Sequence, residues 1–310
     1  MKRREPIFLE PVFQEKIWGG DRLRTGFGYD IPSGHTGECW AISGHPGGDC
    51  RIKGRPGQTL GGLWRDERTL FGGLAGEGFP LLVKLLDARE DLSIQVHPDD
   101  SYARLHENGA SGKTECWYIL DCDPDATIII GHNARTPEEL RQMVEEKRWG
   151  ELLRQVPIRP GDFFQIDPGC VHSIRGGTLL LETQQSSDVT YRFYDYDRLS
   201  GGRPRPLHIE ESLAVTRSPF RPREIRPWTC REGDAQVTEL IRCPCYTVYR
   251  AALEGRWQRD WDAPFVNVSV LDGQGTLDGA PVNKGDHLLL PAGYGTMTLE
   301  GRLELICSHL

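Results

Sequence analysis

A chain of 310 residues with 38% hydrophobic and 26% charged content can bury a sizeable core and is too apolar to be disordered. Its length suggests about two domains. The net charge of −8 disfavours general binding to nucleic acid or an anionic membrane, so an anionic small partner would need locally placed Lys or Arg. There is no apolar run of about 18 residues and no secretory pattern after Met1-Lys2-Arg3-Arg4, so a cytoplasmic location and no membrane contact are expected. The nine cysteines are odd in number and scattered, which argues against a disulfide framework. The one tight pair, Cys243-Pro244-Cys245, lacks a second pair at zinc-site spacing.

Glycine (36) and proline (21) punctuate short apolar runs throughout, which predicts an all-β chain with many turns. Residues 6–45 read as strands and loops, with Lys16-Ile17-Trp18-Gly19-Gly20 and Gly37-Glu38-Cys39-Trp40 as core tryptophans beside glycine turns. A short helix-and-loop insertion covers 56–78. Pro80 to Ala88 then reads as a buried strand in which Lys84 is conspicuous, because a lysine among leucines is rarely buried unless paired or functional. A short helix is expected over 101–108, and strands over 115–120 and 126–131. Thr136-Pro137-Glu138-Glu139 carries a cap residue, a proline at the first helical position and a capping-box Glu, which predicts a helical insertion near 136–155. Further strands cover 163–166 and 179–184. The stretches at 203–206 and 217–227 look like a linker. The expected organisation is a first β domain over 1–215, a linker over 216–235 and a second β domain over 236–310.

Three segments carry candidate metal donors. In Ser93-Ile94-Gln95-Val96-His97, strand alternation puts Gln95 and His97 on one face. Glu115 opens the strand Glu115-Cys116-Trp117, where Cys116 is expected only to pack, and His172 follows Gly169-Cys170-Val171. One amide, two imidazoles and one carboxylate suit zinc, although spacing alone does not establish that separate strands converge. The other histidines have no comparable context. Across the linker an internal repeat is visible: Gly161-Asp162 is followed ten residues later by His172, and Gly285-Asp286 ten residues later by Thr296. The first module is therefore read as chemically active and the second as structural.

The spacing of Gly161, Gly169 and His172, with Gln95, His97 and Glu115, resembles the two motifs of cupins, small metal-holding β-barrels of the jelly-roll type. Lys84, Leu92 to Asp100, Gly112 to Ile119 and Gln184 to Arg192 together resemble type I mannose-6-phosphate isomerase in its short bacterial form. So do Ile17 to Gly20 and Gly37 to His45, and the likeness runs from about residue 6 to 215, then weakly onward. One departure is Asp167-Pro168-Gly169, where the family usually has Pro-Ala-Gly. The resemblance implies two cupin-like modules and one Zn2+ per chain held by Gln95, His97, Glu115 and His172. It also implies interconversion of mannose 6-phosphate and fructose 6-phosphate through an enediol, with Arg192 as the active-site arginine. On that reading Lys113 is a candidate base if nearby zinc lowers its pKa, Lys84 grips phosphate or tunes the same site, and Asp188 orients Arg192 or shuttles a proton. The phosphorylated hexose is the expected partner. Alternatives are a non-catalytic cupin sugar sensor and another cupin metalloenzyme.

Overall fold

The computed structural model describes residues 5–310, so the basic start Met1-Lys2-Arg3-Arg4 lies outside the described residues. The punctuated apolar runs form antiparallel strands, with a few short helices between them. The first module pairs two sheets. One has six strands in the order Phe163–Ile166, Glu115–Cys122, Thr178–Gln185, Leu81–Ala88, Val12–Gly20 and Thr36–Ser43. The other has five: Tyr191–Tyr194, Ile94–Val96, His172–Ile174, Thr127–His132 and Leu153–Pro157. Between them Leu86, Trp117, Ile119 and Leu180 of the first pack with Ile128 and Ile174 of the second. The second module is a nine-stranded sheet that includes the long strands Thr247–Asp260, Phe265–Leu277 and Thr296–His309.

The six-stranded sheet is buried on both faces. Leu81, Val83, Leu85, Tyr118, Leu179 and Leu181 point away from the first module's interior and share a core with Tyr246, Val248, Leu271 and Ile306 of the second. A strand covered on both sides has no polar face, which is why Leu81–Ala88 reads as an apolar run. Each fully buried Leu or Val contributes roughly 1.5–3 kcal/mol relative to exposure, so this interface binds the modules firmly. Alternation then sends Lys84 inward with Leu86.

Several expectations need redrawing. The helix capped by Thr136, whose Oγ1 accepts from Glu139 N at 3.1 Å, spans only Pro137–Glu145. Lys147 turns left-handed (φ 53°), a four-residue helix Trp149–Leu152 follows, and Leu153–Pro157 joins the five-stranded sheet beside Thr127–His132. Sheet pairing overrides the apolar periodicity that ran on to residue 155. Within the expected linker, Trp228–Glu232 is a strand paired with Ala235–Arg242. Ile7–Glu10, at the other end of the chain, pairs with His287–Pro291 of the second module's sheet. The expected repeat has a structural counterpart. Asp162 N bonds Arg159 O while its carboxylate accepts from Arg159 N at 2.9 Å; Asp286 does the same with Asn283, its carboxylate accepting at 2.8 Å. Gly161 (φ 91°) and Gly285 (φ 88°) supply the left-handed residue that both turns require.

His287 is buried in the second module, with Nδ1 2.9 Å from Ser269 Oγ and Nε2 2.8 Å from Tyr29 Oη. Burial pushes its pKa down to about 3. The unfolded chain, with an ordinary histidine near 6.5, then binds a proton that the native state does not between those two values. Stability is lost as pH falls through that window. His287→Gln is expected to be less stable than the wild type at pH 7.5, and urea midpoints should show the gap narrowing steadily toward pH 4.5.

Candidate active site

Register builds the site from two facing rows of side chains. On the six-stranded sheet, Trp40, Lys84, Glu182 and Trp117 are lateral neighbours on successive strands. On the five-stranded sheet, Arg192, Gln95 and His172 are likewise side by side. His97 follows the short strand Ile94–Val96, and Glu115 opens its own strand opposite. A one-residue slip in any of these strands would turn its contribution to the other face.

His97, Glu115 and His172 come together with ligand-type atoms all within 4.8 Å of one another. His172 Nε2 is 3.3 Å from Glu115 Oε1, and His97 Nε2 is 3.6 Å from Oε2. The Gln95 amide lies 3.2 Å from His172 Nε2, and half a turn of the amide presents its carbonyl oxygen at that point. Each imidazole is aimed from behind: His97 Nδ1 donates to Val189 O (2.8 Å) and His172 Nδ1 to Cys170 O (2.9 Å), leaving both Nε2 lone pairs directed inward. Burial, reinforced by Lys113, holds His97 well below the ordinary histidine pKa. Burial is also the main cause that brings His172 down to about 4, with Lys113 adding to it. Both rings are therefore neutral, the form that binds a metal.

Glu115 is 0% exposed, and neither carboxylate oxygen accepts an aligned hydrogen bond, although Lys113 Nζ stands 2.5 Å from Oε2. A buried carboxylate whose near cation is Lys113, set between two neutral imidazoles and an amide, fits a divalent cation, and the donor set is one that zinc takes. Beyond this cluster lies a cleft of about 160 Å3. Lys16, Lys84, Lys113, Arg192 and Arg205 line it, with Glu38, Glu182 and tryptophans 18, 40 and 117. A larger groove of about 880 Å3 lies on the second module around Arg231, Asp234 and Arg302, away from these donors.

The charges in the cleft form a chain. Lys16 is 3.5 Å from Glu38, Lys84 is 3.9 Å from Glu38 and 3.6 Å from Glu182, and Lys113 is 3.9 Å from Glu182. Burial disfavours the Lys113 ammonium, but Glu115 and Glu182 outweigh it and raise its pKa. Burial, with Glu115 close by, raises that of Glu182 against the pull of Lys113 and Lys84. Burial also lowers Arg192, and the neighbouring Arg205 adds to this. Arg205 is itself held from behind by Asp195, with Nε at 2.6 Å from Oδ2, and Arg198 shares the same carboxylate.

Seven of the residues singled out from sequence therefore converge: Lys84, Gln95, His97, Lys113, Glu115, His172 and Arg192. Asp188 reaches only the rim. Its side chain is 72% exposed and lies 4.0 Å from His45 Nε2, with no contact to Arg192 among the described residues, because Asp188 sits in the loop that precedes the strand Tyr191–Tyr194. Glu182 and Arg205 were missed. Glu182 sits among Leu179-Leu180-Leu181 just as Lys84 sits among leucines, so the same test would have found it. Arg205 lies in a Pro/Arg stretch that resembles a linker and gives no local signal.

With this geometry in hand, comparison with known proteins is direct. Residues 7–130 match the family model for the type I phosphomannose isomerase catalytic domain, and residues 236–310 match that for the mannose-6-phosphate isomerase cupin domain. The mannose-6-phosphate isomerase ManA of Bacillus subtilis is 50% identical over 313 residues, covering 99% of each chain. The mannose-6-phosphate isomerase of Streptococcus mutans is 47% identical, covering 98% of each. The crystal structure of a mannose 6-phosphate isomerase from Bacillus subtilis superposes with a TM-score of 0.97 at 47% identity, covering 99% of this chain and 100% of that one. Motif, register and full-length likeness agree: the chain belongs to the type I phosphomannose isomerase family, with an all-β cupin fold.

Proposed function

We propose that this cleft interconverts mannose 6-phosphate and fructose 6-phosphate through an enediol, in a zinc-dependent reaction. The observation that carries the reading is the solvent-free Glu115 carboxylate without an aligned donor, set between two inward-facing imidazoles beside a cleft rich in Lys and Arg. The names of full-length relatives support the substrate. Gln95, His97, Glu115 and His172 would hold one zinc ion per chain. Bound there, the ion supplies Lewis acidity toward the sugar's carbonyl and hydroxyl oxygens.

The residues of the chain divide the remaining work. An aldose–ketose shift moves a proton between adjacent carbons and builds negative charge on oxygen. Glu182, raised in pKa and clamped by Trp117 Nε1 at 3.1 Å from Oε2, is the carboxylate placed to take that proton. Lys113, with carboxylates on two sides, would serve as the acid partner. Lys84 keeps Glu182 oriented. Arg192, whose Nε is buried and unpaired, is free to donate to the enediolate oxygen. Arg205, fixed by Asp195 at the cleft's other side, grips the phosphate.

Three measurements test this. Protein purified without added metal should contain about one zinc per chain and turn over mannose 6-phosphate in a coupled assay, with activity lost to a chelator and restored by zinc. Iron with oxygen uptake, or bound sugar without turnover, would overturn the reading. Glu182→Gln should lower kcat by about 10²–10⁴ while KM and zinc content stay near wild type, and should abolish exchange of the C2 proton with D2O. Arg205→Gln should raise KM for the phosphorylated sugar about tenfold or more with a smaller change in kcat, the signature of lost ground-state binding.

A further inference from the structure

Cys243 and Cys245 flank Pro244 at the tip of the hairpin that joins Ala235–Arg242 to Thr247–Asp260. Cys243 N donates to Tyr246 O at 2.9 Å and closes the turn. Both thiols are partly exposed, and each is the largest influence on the other's titration. Cys245 Sγ also donates to Thr114 Oγ1 at 3.5 Å. Thr114 stands between Lys113 and Glu115, and is stitched to the next strand: its N–H donates to Gln185 Oε1 (2.9 Å), and its carbonyl accepts from Gln185 N (3.0 Å). The tip of the second module thus touches the backbone that carries a metal donor and a cleft lysine.

Other cysteines lack this combination. Cys39 and Cys50 are neighbours but buried, out of reach of an oxidant in solution. Cys122 and Cys230 are partly exposed, and burial of each sulfur raises its pKa. At Cys243 the hydrogen bond from Cys245 is the largest cause of a shift down to about 7, which leaves a substantial thiolate fraction at neutral pH.

We propose that Cys243-Pro244-Cys245 is a redox-modification site, where a hydroperoxide forms an intramolecular disulfide that releases Thr114 and slows turnover. The Cys243 thiolate attacks hydrogen peroxide, forming an S–O bond as the O–O bond breaks, and the departing hydroxide takes from solvent the proton that the thiol had released and leaves as water. Cys245 then attacks that sulfur; the S–S bond forms, the S–O bond breaks, and hydroxide takes the Cys245 proton as a second water. Two thiols are oxidised by two electrons and one peroxide is reduced to two waters. The disulfide has no S–H, so its hydrogen bond to Thr114 is lost, and the sulfurs must close to about 2.05 Å, which pulls the hairpin tip. The effect on turnover rests on the isomerase reading above, whereas the modification itself does not.

The test treats zinc-loaded enzyme with hydrogen peroxide, followed by peptide mass mapping and the coupled assay. The peptide spanning 243–245 should lose two hydrogens (about 2 Da), and kcat should fall about tenfold and recover with dithiothreitol. Cys243→Ser and Cys245→Ser should keep wild-type activity before and after peroxide. Absence of the mass loss overturns the site. Disulfide formation with unchanged turnover, or equal inhibition of both serine variants, overturns its link to the active site. An enzyme inert toward mannose 6-phosphate before treatment would defeat the isomerase reading alone, since the mass readout still judges the disulfide.

Discussion

The arrangement of this protein turns on one buried carboxylate. Glu115 is removed from solvent with both oxygens lacking aligned donors, and two imidazoles that burial keeps neutral cannot compensate its charge. Leaving such a charge unpaired costs several kcal/mol. Lys113 offsets part of it, and the geometry left over is that of a cation site. The chain of lysines and carboxylates from Lys16 to Glu182 extends the same logic across the cleft. Each buried charge is tolerable only because the next one stands within 4 Å. Such a network holds its members in place, and fixed groups are what catalysis by positioning demands.

That network needs a rigid wall, and the six-stranded sheet provides it. Its outer face is apolar, so it would be unstable without the second module's cover of Tyr246, Val248, Leu271 and Ile306. Polar ties mark the same boundary: Tyr118 donates to Glu304, which Arg250 also holds, and Gln165 meets the Tyr246 hydroxyl. The second module packs behind the cleft's wall and contributes no residue to the His97, Glu115 and His172 group found among the described residues. The two Gly-Asp turns show how alike the two modules are locally. The turns share their hydrogen bonds, yet the second strand after each opens with His172 in one case and Thr296 in the other.

Much of this was legible in the residues. Alternation in Ser93 to His97, the capping box at Thr136, the apolar run with Lys84 inside it and the repeated Gly-Asp turn are local patterns, and local patterns survive folding wherever tertiary contacts agree with them. The sequence by itself determined an all-β chain and, through several ordered motifs, its family. The tertiary structure decided the rest, because register and burial are properties of strand pairs rather than of strands. It stopped the helix at Glu145 in favour of a sheet partner, and moved Ile7–Glu10 into the far module's sheet. It left Asp188 at the rim, and brought Glu182 and Arg205 to the cleft from positions with no shared spacing. A pKa depends on which charges surround a group, so the upward shift of Lys113 became visible only once Glu115 and Glu182 stood on either side of it.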